Sequence, residues 1–252
     1  MRVAVIGGTG LTGRHTVDAL RRSGHDPVVV SRSTGVDVLT GAGLDAAFDG
    51  VHAVIDVVNT ALSERDTAER FFAAETEQVL AAEARAGVGH HVLLSIVGID
   101  KVEGNAHYAG KRVQERLVTE GPVPWTIVAA TQFFDFPAMV VSWTVQEGTA
   151  TVPPLLMQPV AITDVAATLA EVAVGPPLGR IIQVAGPEPQ DLVDMARRTL
   201  AARGDRTRLV PTWRGTPLGV EMAGEVLLPG PDARIAPTTF DTWLAEQERA
   251  SS

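Results

Sequence analysis

Four side chains near the middle of the chain have the right types for moving a proton to or from a reacting oxygen: Ser95, His107, Tyr108 and Lys111. Ser95 lies near the end of an apolar run, Val92-Leu93-Leu94-Ser95-Ile96-Val97, that reads as a strand. The other three sit on a helical stretch, His107-Tyr108-Ala109-Gly110-Lys111-Arg112. Residues three and four apart share a helix face, so His107 lies with Lys111, Tyr108 with Arg112, and Tyr108 beside Lys111. A lysine cation orients sugar hydroxyls and lowers the pKa of a nearby phenol, while a serine hydroxyl can hydrogen-bond a carbonyl oxygen. These are the parts for hydride transfer to a carbonyl with delivery of a proton. The adjacent His90 and His91 are a poor metal pair: neighbours on a strand point to opposite faces, and no further ligand stands at the right spacing.

Something must hold a hydride donor next to that set, and the N-terminus supplies it. The apolar run Val3-Ala4-Val5-Ile6 leads into Gly7-Gly8-Thr9-Gly10-Leu11-Thr12-Gly13 and then a helical pattern through Arg22. A buried strand, a glycine turn and a helix N-terminus make a pyrophosphate pocket, because free backbone N–H groups and the positive helix end converge on it. Gly7, Thr9, Gly10, Leu11, Thr12 and Gly13 are therefore the candidate cofactor-binding residues. A second strand, Pro27–Val30, ends at Ser31-Arg32-Ser33. An acidic residue there would bind both ribose hydroxyls; instead Arg32 with its flanking hydroxyls suits a 2′-phosphate, which favours NADP(H) over NAD(H). Arg32 also reads as a solvated loop arginine, Asp37 as either an adenine contact or a turn cap, and Asn59 as either a site residue or a turn cap.

The elements between these points alternate. Strands are expected at 53–58, 92–97 and 124–129, a short extended piece at 36–39, and helices around 44–48, 64–86 and 105–119. Apolar strands joined by helices of crossover length give an α/β fold, a Rossmann-type doubly wound parallel sheet covered on both faces. Residues 1–130 form the dinucleotide-binding core on this reading, and residues 131–252 a smaller substrate lobe partly integrated with it. In the second part helices are expected at 162–173, 192–202 and 239–247, with short strands near 158–161, 180–185 and 208–210. Phe133, Phe134 and Phe136, with Trp143 and Met157, either wall an apolar substrate pocket or belong to the core.

Bulk properties exclude some classes. A net charge of −9 argues against a general nucleic-acid surface, and the absence of cysteine removes thiolate and disulfide chemistry. No apolar run approaches the roughly 18 residues of a membrane span, and no signal peptide precedes the first strand. A soluble cytoplasmic protein acting on a small molecule is expected, with a homo-oligomer left open.

The glycine stretch, Ser31-Arg32, the Ser95 strand, the His107–Lys111 helix and Pro124-Trp125-Thr126-Ile127-Val128 together resemble the atypical short-chain dehydrogenase/reductases, the NmrA-like NAD(P)-binding group. Gln158-Pro159-Val160, Asp164-Val165-Ala166 and Ala185-Gly186-Pro187-Glu188 are similar to the C-terminal portion of those proteins. The resemblance implies a catalytic Ser or Thr with a Tyr and Lys spaced Y-x-x-x-K. Lys111 and Ser95 match, but His107 stands at the tyrosine position and the only tyrosine is one residue later. It leaves several outcomes: His107 as proton donor, Tyr108 reaching in from the next position, a quinone-like acceptor with protons from water, a cofactor-dependent isomerase or epimerase, or a non-catalytic NADP(H) sensor with a regulatory partner.

Overall fold

The computed structural model describes residues 1–60 and 62–251. In chain order the elements are β1 (Arg2–Ile6), α1 (Leu11–Arg22), β2 (Asp26–Val30), α2 (Leu44–Ala47), β3 (Ala53–Asp56), α3 (Arg65–Ala86), β4 (His90–Ile96), α4 (Ala106–Glu120) and β5 (Trp125–Ala130). There follow α5 (Phe136–Thr144), β6 (Thr149–Val152), β7 (Leu156–Met157), α6 (Ile162–Val174), β8 (Ile181–Ala185), β9 (Gln190–Asp191), α7 (Leu192–Ala202), β10 (Arg208–Pro211), β11 (Arg234–Ile235) and α8 (Phe240–Ser251).

Seven strands form one sheet in the order β11-β8-β5-β4-β3-β1-β2, and every pairing in it is parallel. Alternate residues of each strand feed opposite faces, as the pleat requires. Val3 and Val5 of β1 join α1 and α6 in one apolar cluster, whereas Ala4 and Ile6 join α3 in another. This is the doubly wound Rossmann-type sheet expected. The chain leaves β1 toward β2 on one side and returns to β3 on the other, so the crevice opens above the carboxyl ends of β1 and β3.

The residues after Ala130 divide between two bodies. α6, β8 and β11 complete the sheet and its cover, while α5, α7 and α8 surround a separate apolar cluster that Ile99, Val102 and Tyr108 also enter. Two local expectations are corrected. The extended piece at 36–39 is only an isolated bridge between Asp37 and Ala42. The strand expected at 158–161 lies earlier, as β7, and Val160 makes a lone parallel bridge to Phe133. The Phe-rich stretch from Phe136 is the helix α5, with Pro137 in its first turn, where a missing N–H costs nothing.

Candidate cofactor cleft and proton-handling residues

The glycine turn is built by backbone contact. Gly7 adopts φ +77°, and its N–H donates to Val30 O at 3.0 Å, which ties the turn to the end of β2. A Cβ on Gly13 would lie 2.1 Å from Gly7 O and 2.6 Å from Gly8 Cα, so only glycine lets α1 approach the loop this closely. Gly10 caps α1 without any side-chain hydrogen bond. Arg14 is the first residue whose N–H reaches an i−4 carbonyl, that of Gly10, at 3.0 Å. The N–H groups of Leu11, Thr12 and Gly13 thus have no intrahelical acceptor, and they point outward with the helix dipole. Thr9, Gly10 and Leu11 are exposed beside them.

At the end of β2, Thr34 Oγ1 accepts from the Ser31 N–H at 3.0 Å and shapes a short 3₁₀ turn. The Ser31 and Ser33 hydroxyls lie 2.8 Å apart. Arg32 between them is exposed, and its guanidinium has no partner among the described residues. Asp37 Oδ1 accepts from the Leu39 N–H at 2.9 Å. Asn59 is exposed just past β3, its Oδ1 accepting from the Thr60 N–H at 2.8 Å. The cleft therefore offers orphan amides for a pyrophosphate and a free cation for a phosphate, a fit to a dinucleotide.

The four proton-handling candidates are buried or half-buried, each with its own surroundings. Ser95 is 1% exposed, and its hydroxyl has no hydrogen bond of acceptable geometry. It lies close enough to Glu115 to pull down that carboxyl, which burial otherwise pushes up. Lys111 is 4% exposed, and its ammonium donates to Gln114 Oε1 at 2.7 Å, Leu94 O at 3.0 Å and Val58 O at 3.3 Å. Three N–H bonds meet three acceptors, leaving none spare. His107 is half-buried, its ring 5.7 Å from that of Phe72. Burial, and then the Lys111 charge, lower its pKa to about 4, so the ring is neutral at pH 7.

Tyr108 packs into the apolar cluster of the lobe, where the Gln132 amide donates to its oxygen at 3.4 Å. Burial pushes the phenol up to about 12, with Gln132 drawing it back slightly. Asn105 caps α4 by accepting from the Tyr108 N–H, and the phenol falls on the face that packs the lobe. Because Tyr108 is the only tyrosine, a phenolate absorbance titration should show one native transition near pH 12 and one near the ordinary pH of about 10 in denaturant. A folded pKa above the unfolded one means that stability falls as pH rises through this window, by about 2–3 kcal/mol in full. Tyr108→Phe should remove that alkaline limb; a native transition near pH 10 would contradict the burial.

The aromatic residues also separate. Phe134 is core, with ring centroids 5.5 Å from Phe240 and 5.8 Å from Trp243, and Met157 is fully buried; neither walls a pocket. Phe133 packs half-buried on the α1–α6 side of the sheet. Phe136 and Trp143 meet edge to face at 6.0 Å, and Trp143 is 50% exposed. They are the members of the set that remain available to a ligand. The two histidines follow the strand pleat: His90 Nε2 meets Thr126 Oγ1 at 2.9 Å, and His91 Nδ1 meets Glu83 Oε1 at 2.8 Å.

The residues missed by sequence reasoning are Asp56, Glu75 and Gln114, all fully buried. Gln114 Nε2 donates to Asp56 Oδ2 at 2.8 Å and to Glu75 Oε2 at 3.2 Å. A buried acid near the end of a strand was the one available signal, at Asp56.

A parallel sheet with its crevice at the strand reversal, a glycine turn with orphan helix amides, and a free cation after the second strand define a nicotinamide-dinucleotide-binding protein of the Rossmann class. A family profile described as NAD(P)H-binding matches residues 7–176. The chain belongs to that family. No curated protein matches the sequence. Among solved structures, MoeE5 in complex with UDP-glucose and NAD is similar over 100% of both chains at 17% identity and a TM-score of 0.76. A short-chain dehydrogenase/reductase superfamily protein from Agrobacterium tumefaciens with bound NAD is similar over 100% of this chain and 97% of that one, at 19% identity and a TM-score of 0.70. The NADPH-dependent quinone oxidoreductase QOR2 from Escherichia coli is similar over 97% of this chain and 99% of that one, at 13% identity and a TM-score of 0.69. The fold is thus that of the short-chain dehydrogenase/reductases and their nucleotide-sugar relatives.

Proposed function

We propose that the protein is an NADPH-dependent oxidoreductase whose acceptor is a quinone or a similarly electrophilic small molecule. One observation carries this reading: no acid of useful pKa stands at the family's proton-donor position. His107 there titrates at about 4, and Tyr108 titrates at about 12 with its phenol in the lobe core. A simple ketone needs a proton as its alkoxide forms, and a positioned acid contributes about a hundredfold or more. A quinone accepts hydride to give a stabilised hydroquinone anion, which then takes its proton from water.

Bound NADPH supplies the hydride. The amides of Leu11, Thr12 and Gly13 hold the pyrophosphate, with Gly7, Thr9 and Gly10 shaping the turn. Arg32, Ser31 and Ser33 hold the 2′-phosphate. The Phe136–Trp143 edge gives an apolar wall against which a flat acceptor can lie. The likeness to a quinone oxidoreductase supports the reading at the level of fold.

Purified protein with NADPH and a panel of quinones, enones and plain ketones tests it. NADPH is expected to be consumed with quinones and not with plain ketones. His107→Ala should keep the quinone rate within about threefold, where loss of a general acid would cost about a hundredfold. The second reading, a non-catalytic NADP(H) sensor, is favoured by the spent donors of Lys111. Tight binding with no consumption for any acceptor would select it.

A further inference from the structure

Behind the carboxyl end of β3, four residues close a ring of hydrogen bonds through the backbone N–H and C=O of Val58. The Val58 N–H donates to Asp56 Oδ1 at 2.8 Å. The other oxygen of Asp56 accepts from Gln114 Nε2 at 2.8 Å. Gln114 Oε1 accepts from Lys111 Nζ at 2.7 Å. Lys111 Nζ returns to Val58 O at 3.3 Å, closing the circuit, and also donates to Leu94 O at 3.0 Å on the adjoining strand. Asp56 and Gln114 are 0% exposed and Lys111 is 4% exposed.

The amide of Gln114 has only one workable orientation in this ring. Its nitrogen faces two carboxyl groups, those of Asp56 and Glu75, and its oxygen faces an ammonium. Flipping it would set an oxygen against carboxylate oxygens and an NH₂ against a cation. Gln114 therefore passes the Lys111 charge to Asp56 without the two ions meeting. Glu75, buried beside Asp56, has its carboxyl pushed well above its ordinary value, by burial first and then by the neighbouring Asp56 charge.

The Val58 backbone that the ring fixes adjoins the glycine turn. A Cβ on Gly7 would meet Val57 O at 3.3 Å and Val58 N at 3.4 Å, so the first glycine rests directly on this backbone. Asn59, next in the chain, is exposed.

We propose that Gln114 is a positioning residue for dinucleotide binding, and that Lys111 acts through the same ring, holding the Val58–Asn59 backbone against the glycine turn instead of contacting the cofactor ribose itself. This rests on the dinucleotide reading of the cleft, not on the identity of the acceptor.

The test is a double-mutant cycle on NADPH affinity measured by calorimetric titration, without any acceptor, so that it is independent of turnover. Gln114→Met, Lys111→Met and the double variant are each expected to weaken NADPH by about tenfold, the double no more than either single, because each opens the same ring. Adenosine 2′,5′-bisphosphate, which carries the adenosine half alone, should bind all three within about twofold of the parent. Circular dichroism at the titration temperature confirms that each variant is folded; where one is not, Gln114→Asn, one methylene too short to span the ring, replaces Gln114→Met, and Lys111→Gln replaces Lys111→Met. A direct ribose contact would show as a large loss in Lys111→Met with none in Gln114→Met. That result overturns the proposal, as do additive losses, unchanged NADPH affinity in Gln114→Met, or equal weakening of the bisphosphate.

Discussion

Gly13→Ala is expected to reduce NADPH affinity by at least about a hundredfold, the loss that a displacement of about 1 Å produces at a preorganised site. The added methyl would sit 2.1 Å from Gly7 O and 2.6 Å from Gly8 Cα, both backbone atoms of the turn itself. No rotamer change can relieve that contact, so α1 must retreat from the loop or the loop must open. Either movement takes the Leu11, Thr12 and Gly13 amides off the position of the pyrophosphate. Overpacking of this kind also costs about 1–3 kcal/mol of stability, which a thermal melt of the apo protein should show. Leu11→Ala is the control: Leu11 is 49% exposed at the same helix end, and its apo melting point should not move. Calorimetric titration that finds Gly13→Ala binding NADPH within threefold of the parent would sink the assignment of the turn, since about 0.65 kcal/mol is too little for a displaced site.

Arg32→Ala should separate the two cofactors. The guanidinium is exposed and has no partner among the described residues, so its removal takes nothing from the apo fold and stability should stay within about 0.5 kcal/mol. Against a 2′-phosphate it makes charge-assisted hydrogen bonds worth about 1.5–3 kcal/mol, and NADPH affinity should fall by about 10- to 150-fold. NADH, with a plain hydroxyl at that carbon, should bind parent and variant alike. Because the pair is solvent-facing, the parent's preference should narrow as salt rises. Equal losses for the two cofactors would refute the phosphate role of Arg32.

Much of the fold was legible because its signals are local. The glycine turn, the crossover helices and the strand-end arginine each lie within one short stretch, and the sheet order follows from handed connections. Helix α5 was not legible: Phe133 to Pro137 reads as a break in pattern, whereas Pro137 begins a helix instead of ending one. The 36–39 and 158–161 pieces have strand composition, yet each found a single bridge. At the site, helix periodicity put His107, Tyr108 and Lys111 on neighbouring faces, which holds, but it does not say which face meets the cleft. Packing decided that: Tyr108 belongs to the lobe and Lys111 to the buried ring. Asp56 and Gln114 are bonded across 58 positions of sequence, and Glu75 and Gln114 across 39. No spacing rule reaches that far, because nothing local distinguishes a buried glutamine on a helix from a solvated one.

The order of the central sheet bears on how the protein can be altered. β8 and β11 join beyond β5 only after the chain has left the sheet to build α5 and the strands that follow it. A chain cut after Ala130 would leave the buried strand β5 as a bare edge, with unpaired N–H and C=O groups and no α6 over its apolar face, a template for aggregation. The lobe and the sheet should therefore melt as one cooperative unit. On the proposed reading, new acceptors are therefore to be sought by changing residues within the lobe, α5 first, rather than by exchanging it whole.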